Sequence, residues 1–327
     1  MLIVADDLTG AADAAGAFAA AGHPCVVVLD GGVAAAPELA TNASIVAVDT
    51  NGRMLGEDDA FLATASAVRV HPQRPVFVKI DSTLRGHVRA TIMAVLSALE
   101  TRPARVVVCP AFPARGRTVV DGHVHVDGEL IAAGSLRAAL SGFPSTAGLF
   151  VPTVRTDDDI AGLVRNVQRT APDGVLWVGS AGLARHLAHL VDAPPRTTPI
   201  PRAPATRIAV VVGSQHEASG RQVAAMDAGF QQRMHTQVFT IDPRDEAFVG
   251  HVVTTLRKVD GLVLTGGHTA RVVLDALGIA SFTVGGEVEP GIPWATVTEP
   301  AISLVTKAGG FGDDQALRRA VEFLHRG

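Results

Sequence analysis

Apolar residues in this chain come as short unbroken runs. In the first two-thirds they are "LIVA" (2–5), "CVVVLD" (25–30), "SIVAVDT" (44–50), "PVFVKID" (75–81), "RVVVCPAF" (105–112), "GLFVPT" (148–153) and "VLWVGS" (175–180). Continuous runs, as opposed to alternating ones, predict parallel strands covered on both faces. Helical segments are expected between them, over 10–21, 56–70, 87–100, 157–170 and 181–191. The β-α-β order predicts an open, mostly parallel sheet with helices on both sides. One stretch departs from this rhythm. "GRTVVDGHVHVDGEL" (116–130) has period-2 runs around two Asp-Gly pairs, which predicts a β-hairpin, or a pair of them, outside the main sheet.

The pattern stops at "DAPPRTTPIPRAPAT" (192–206), which holds five prolines and no periodicity, the mark of an extended linker. It then restarts with strands at 207–214, 235–242, 261–267 and 302–310 and helices at 217–229, 246–258, 269–277 and 313–325. The chain is therefore expected to be α/β, with two domains, each a mostly parallel sheet with helices on both faces. The expected bounds are 1–195, a Pro-rich linker over 196–206, and 207–327, with the active site in the inter-domain cleft. In such sheets ligands bind beyond the carboxyl ends of strands.

Composition narrows the function classes. With 327 residues, 47% hydrophobic and 18% charged, the chain can build two cores. A net charge of −4 argues against nucleic acid as a partner. No apolar run is long enough for a membrane helix, and the first residues lack a signal-peptide pattern, so a cytoplasmic protein with no membrane partner is expected. Cys25 and Cys109 lie in apolar runs and are expected to be buried reduced thiols.

Polar clusters at strand ends carry the candidate chemistry. "ADDLTG" (5–10) places Asp6 and Asp7 where a buried strand stops; Thr9 is expected to cap the following helix, whose N-terminus favours anions. "VKIDSTLRG" (78–86) gathers Lys79, Asp81, two hydroxyls and an arginine at another strand end. "DTNGR" (49–53) delivers Arg53, suited to gripping a carboxylate by two parallel hydrogen bonds. "FPARGR" (112–117) adds Arg115 and Arg117. In the second half, "VVVGSQH", "LTGGHTA" and "TKAGGFG" each place glycine with a hydroxyl or lysine after a strand and before a helix, the makings of a phosphate cradle. None fits the Walker or the dinucleotide fingerprint. His123 and His125 share a strand face, either as a zinc pair or, without further ligands at metal spacing, as ordinary polar positions.

Taken in order, "IVADDLTGAADA", "DTNGR", "KIDSTLRG", "PAFPARGRTVVDGHVHVDGELI", "GSAGLA", "GGHTA", "PGIPW" and "KAGGFGDDQAL" make the chain resemble the four-carbon acid sugar kinase family nearly end to end. The resemblance implies ATP-dependent phosphorylation of threonate, erythronate or 3-oxo-tetronate at the terminal (4-) hydroxyl. The acid would bind the first domain and ATP the second. It implies a substrate site at Asp6, Asp7, Arg53, Lys79, Ile80, Asp81 and Ser82, and a nucleotide site at Ser214, Gly266, Gly267, His268, Thr269 and Gly309. Two positions depart from the family pattern: His216 stands where a hydroxyl residue is usual, and Gly310 where Asn is usual. The chain is also shorter than typical members.

Phosphoryl transfer calls for positioning and charge neutralisation. Arg53 and Lys79 are expected to hold the acid, and Asp7, ahead of Asp81, to accept the proton of the attacking hydroxyl. Mg2+ would be carried mostly by ATP phosphates and water. Rival readings are a kinase of another small hydroxy acid and a catalytically inactive sugar-acid sensor. A homo-oligomer is compatible with the sequence.

Overall fold

The computed structural model describes residues 1–29, 43–143, 148–171, 174–191 and 200–327. The first half contains β1 (Leu2–Ala5), α1 (Leu8–Ala20), β2 (Cys25–Leu29), β3 (Ile45–Asp49), α2 (Glu57–Val70), β4 (Val76–Lys79), α3 (Val88–Ala98), β5 (Arg105–Cys109), β6 (Arg117–Val120), β7 (His123–Val126), β8 (Glu129–Ser135), α4 (Leu136–Ala139), β9 (Leu149–Phe150), α5 (Asp157–Thr170), β10 (Val175–Gly179) and α6 (Ala181–Leu187). The second contains β11 (Ile208–Val212), α7 (Glu217–Ala224), α8 (Ala228–Arg233), β12 (Thr236–Thr240), α9 (Glu246–Leu256), β13 (Gly261–Thr265), α10 (Gly267–Leu277), β14 (Ser281–Glu289), β15 (Ile292–Val297), β16 (Ile302–Lys307) and α11 (Ala316–Arg326). The expected α/β architecture is present. Residues 196–199 of the expected linker lie outside the described residues, and 200–206 form neither helix nor strand.

Among the described residues the strands of both halves form one thirteen-stranded sheet, in the order β12-β11-β13-β16-β15-β14-β2-β3-β1-β4-β10-β5-β9. The first-half block from β2 to β9 is parallel throughout. So is the block β12-β11-β13-β16. Between them β14 and β15 form an antiparallel hairpin, and β14 runs antiparallel to β2. That hairpin was not expected from the sequence. Gly285 and Gly286 interrupt its strand signal, and the space a side chain would need at Gly285 is filled by the Trp294 ring, 2.1 Å from the position of an added Cβ.

The reversal positions the site. The two parallel blocks point in opposite directions along the sheet. Six strand steps separate β13 from β1, and at roughly 20–25° of twist per step the blocks turn through most of a half-circle. The carboxyl ends of β1 and β13 thereby come together, where Gly267 adjoins Asp7. The sheet curls around α1, which touches β1 to β4 of one half and β14 to β16 of the other. Every residue of α1 from Leu8 to Ala19 is buried, Thr9 and Asp13 included, the behaviour of a helix packed on every side. Its small residues permit this: a methyl group on Gly16 would stand 2.9 Å from the Pro293 Cβ.

The Asp-Gly segment forms a separate three-stranded sheet, β6-β7-β8. Both turns have positive φ at Asp and Gly, Asp121 (49°) with Gly122 (76°) and Asp127 (52°) with Gly128 (87°), the conformation favoured in two-residue hairpins. Two expected elements are shorter than their patterns. The strand at 148–153 is reduced to β9, an edge strand paired only with β5 and exposed at both residues. The helix at 217–229 divides into α7 and α8, because Asp227 caps a new N-terminus by accepting from the Phe230 N–H.

Candidate active site at the seam of the two halves

β1 ends at Ala5, and the twin carboxylates follow in the space between the halves. Asp7, not Thr9, caps α1: its Oδ1 accepts from Gly10 N–H at 3.0 Å, and its Oδ2 from the Thr9 hydroxyl at 2.7 Å. Arg53 arrives from the turn after β3. It donates to Asp6 through Nε (3.0 Å) and Nη2 (2.8 Å), and its Nη1 lies 3.1 Å from Asp7 Oδ2. Each guanidinium nitrogen thus already faces a protein carboxylate. In this geometry Arg53 holds the two aspartates in place.

Asp81 follows β4. It accepts from Arg85 through Nε (2.9 Å) and Nη2 (2.7 Å), and from both the backbone N–H and the hydroxyl of Thr83. Lys79 is buried and donates to the Ile80 carbonyl at 3.1 Å. Its Nζ lies 3.0 Å from where a Cβ on Gly10 would stand. The Ile80 and Ser82 side chains are buried. Gly86 closes this loop onto the cluster at φ +85°, where an added Cβ would stand 2.4 Å from Asp6 Oδ2.

Three carboxylates and three cations therefore share the site. Burial pushes the Asp6 carboxyl up, with Asp7 adding to the rise and Arg53 opposing it. Burial would push Asp81 up too, but the Arg85 hydrogen bonds, the charges of Arg53 and Arg85 and the Thr83 hydroxyl hold it far below the usual carboxylate range. Burial opposes the charge of Arg53, yet Asp7, Asp6 and Asp81 raise its pKa further.

In the second half the three glycine loops nest together. A methyl on Gly213 would stand 2.1 Å from Thr269 Oγ1, and one on Gly309 1.9 Å from Ser214 Oγ, so only bare backbone fits at both places. Gly266 precedes α10 at φ 99°, with its N–H on the Lys307 carbonyl at 2.9 Å. Thr269 is buried, and His268 Nδ1 is buried with no hydrogen-bond partner among the described residues. Lys307 is folded into its own loop. Its Nζ donates to the carbonyls of Ala308 (2.9 Å), Gly309 (3.1 Å) and Phe311 (3.1 Å), shaping the loop from within, and burial lowers its pKa to about 7. The two departures from the family pattern fit each other. His216 caps α7 by accepting from Ala218 N–H at 3.2 Å, and Gly310 leaves room for the ring, whose Nε2 lies 2.9 Å from an added Cβ.

The two sets meet at one point. A methyl group on Gly267, the first residue of α10, would stand 2.2 Å from Asp7 Oδ2 and 3.0 Å from Thr9 Oγ1. Asp7 consequently sits at the N-termini of two helices, one from each half. Beside this contact Asp49, at the end of β3, is wholly buried and receives Arg271 of α10 at 3.1 Å. Burial pushes Asp49 up to about 7 in spite of Arg271 and the Asn51 N–H. The sequence reading missed Asp49, Arg271 and Asp13, and quoted Arg85 without assigning it a place. The available signal was a carboxylate closing an apolar strand, the same device as at Asp6 and Asp7.

Family models of a sugar-binding N-terminal domain and a nucleotide-binding C-terminal domain match residues 1–139 and 243–317. A Cupriavidus necator protein named D-threonate kinase is 30% identical, covering 98% of this chain and 96% of its own length. The chain belongs to the four-carbon acid sugar kinase family. It is an enzyme, a sugar-acid kinase at the level the family shares. A 3-oxo-tetronate kinase of Salmonella typhimurium is 24% identical, with 97% of each chain covered. The D-threonate kinase alignment runs over 414 positions, so this kinase of 327 residues lacks internal segments its relative carries. Among solved structures, one from Salmonella typhimurium LT2 has the same fold at TM-score 0.73 and 21% identity, covering 98% of both chains. A Bordetella bronchiseptica protein, solved as a domain-swapped dimer with bound citrate, is 26% identical at TM-score 0.51, covering 99% of this chain and 98% of its own. Among the described residues no helix is long and apolar enough to cross a membrane.

Proposed function

We propose that this kinase transfers the γ-phosphoryl group of ATP to the terminal (4-) hydroxyl of a four-carbon acid sugar such as threonate, erythronate or 3-oxo-tetronate. The first half (1–195) binds the acid and the second (207–327) the nucleotide. The observation that carries this reading is the meeting of Asp7 with Gly267, which leaves an acceptor held by the aspartate cluster next to a donor held by the glycine loops. The names of the relatives and the citrate bound to one of them support an acidic, hydroxylated substrate.

Asp7 is the base. Asp6 is gripped by two Arg53 nitrogens where Asp7 meets one, and Asp81 is held as a weak base by Arg85 and Thr83. Asp7 also borders the second half, at Gly267. As the sugar oxygen bonds to the γ-phosphorus, its proton passes to the Asp7 carboxylate, and ADP leaves with the bridging oxygen. The loops at Ser214, Gly266 to Thr269 and Gly309 hold the phosphates through the N-terminus of α10 and the backbone N–H groups beyond Gly266, whose own N–H is taken by the Lys307 carbonyl. Arg53 and Lys79, with Arg85 beside them on Asp81, are the cations that meet the acid. Asp6, Asp7 and Asp81 are each committed to a guanidinium, which suits a Mg2+ carried by the triphosphate and water and not by a protein cage.

A coupled ADP-release screen over a panel of four-carbon acids tests the proposal. ADP formation with one of them, lowered by about 100-fold or more in Asp7→Asn, is expected. Release only with some other small hydroxy acid would move the substrate outside the four-carbon class. An acid that raises the melting temperature without forming ADP would make the chain a sensor.

A further inference from the structure

The Asp49 carboxylate divides its two oxygens between the halves. Oδ1 accepts the Asn51 N–H at 2.9 Å, within its own half, and Oδ2 receives Arg271 Nη1 at 3.1 Å from α10. Neither group is in water, since the Asp49 side chain is 0% exposed and that of Arg271 10%. On one side, Asn51 is held in the left-handed region at φ 53°, and two residues later Arg53 donates its N–H to the Asp6 carbonyl at 3.0 Å and grips Asp6 and Asp7. On the other side, Arg271 lies one turn into α10, whose first residue abuts Asp7. Arg271 is itself aimed by Asp275, which accepts from its Nε at 2.7 Å. An apolar pair of the same volume would hold the halves together at least as well as a buried ion pair, but it would not fix their orientation.

We propose that Asp49 and Arg271 are positioning residues, forming the link that keeps the N-terminus of α10 in register with Arg53 and Asp7 and so fixes phosphoryl donor and hydroxyl acceptor relative to each other. The link deepens the proposed function and rests on its placing of the nucleotide at α10. It predicts that loosening one end is felt at the other, across the seam.

Backbone amide exchange in the free protein tests this without any ligand. Arg271→Lys keeps the charge but loses the planar fork that spans Asp49 and Asp275. It should raise exchange at residues 51–53 about tenfold while leaving α5 unchanged. Asp49→Asn keeps the shape and should raise exchange at 266–271 by a similar factor. Exchange confined to the substituted element, or raised equally everywhere, would overturn the link. Kinetics form the second arm: with an acid that supports ADP release in the wild type, both variants should lose kcat by about 100-fold, as a misplacement near 1 Å does, with KM for the acid within a few-fold. Wild-type kcat in both would also overturn it. Absence of turnover in the wild type counts against the kinase reading alone, and the exchange arm still decides the link.

Discussion

Gly267→Ala probes the point where the halves meet. Gly267 opens α10 and is not among the glycines held at positive φ, so alanine suits its backbone and is the better helix former by about 1 kcal/mol. The obstacle is steric. The new methyl would stand 2.2 Å from Asp7 Oδ2, whereas ordinary contact begins at 3.4 Å, so more than an ångström must be found. Asp7 cannot yield it cheaply, being held by Gly10 N–H at 3.0 Å, by Thr9 at 2.7 Å and by Arg53 at 3.1 Å. The remaining freedom is for α10 to retreat. Overpacking of this kind costs about 1–3 kcal/mol, partly offset by the helix propensity. A misplacement near 1 Å between reacting groups costs on the order of 100-fold in rate. Gly267→Ala should therefore melt within a few degrees of the wild type yet lose about 100-fold in kcat, read by coupled ADP release and thermal denaturation. Gly250→Ala on α9, where an added Cβ meets nothing within 4 Å, is the control and should leave kcat unchanged. A Gly267→Ala enzyme with wild-type kcat would refute the placing of the reaction at this seam.

Other substitutions separate the roles within the cluster. Asp7→Asn should lower kcat by about 10²–10⁴-fold, whereas Asp81→Asn should keep measurable turnover, because Asp81 is bound up with Arg85; comparable losses in both would cancel the assignment of the base. Gly86→Ala, strained at φ +85° and 2.4 Å from Asp6 Oδ2, should lose about 1–3 kcal/mol of stability in denaturant titration. Asp13 is buried in α1 with its Oδ1 unpartnered among the described residues, and burial pushes its carboxyl up to about 7 from 3.8. Between those values the folded state holds a proton the unfolded chain has released, so this group's contribution to stability falls as pH rises through the window and stays lost above it. Asp13→Asn should accordingly raise the melting temperature at pH 8 and flatten its decline between pH 5 and pH 8; an unchanged slope would count against the buried charge.

Much of the fold was legible in the sequence because parallel strands covered on both faces must be continuously apolar, and the runs at 2–5, 25–29, 45–48, 76–78 and 106–109 have no polar face to offer water. The strand-end position of Asp6, Asp7, Arg53 and Asp81 followed from the same rule. A charged residue that closes such a run has nowhere to go but the mouth of the sheet. The Asp-Gly pairs likewise fixed their own turns, since both residues must accept positive φ there.

What each polar group does was a matter for the tertiary structure. An arginine after a strand is chemically equipped to clamp a carboxylate, and the partners Arg53 finds within the protein are Asp6 and Asp7, which lie 47 and 46 positions away along the chain. Lys307 follows a strand as a phosphate-binding lysine would, but its amine is folded into its own loop by three carbonyls. The joining of two sheets into one, through β14 on β2, was invisible because strand pairing depends on partners far apart in the chain and on the twist that brings opposed blocks face to face. Local pattern sets which residues are buried and where strands stop. Only closure of the two halves decides which charges those strand ends meet, because hydrogen bonds and ion pairs are set by distances that no single segment contains.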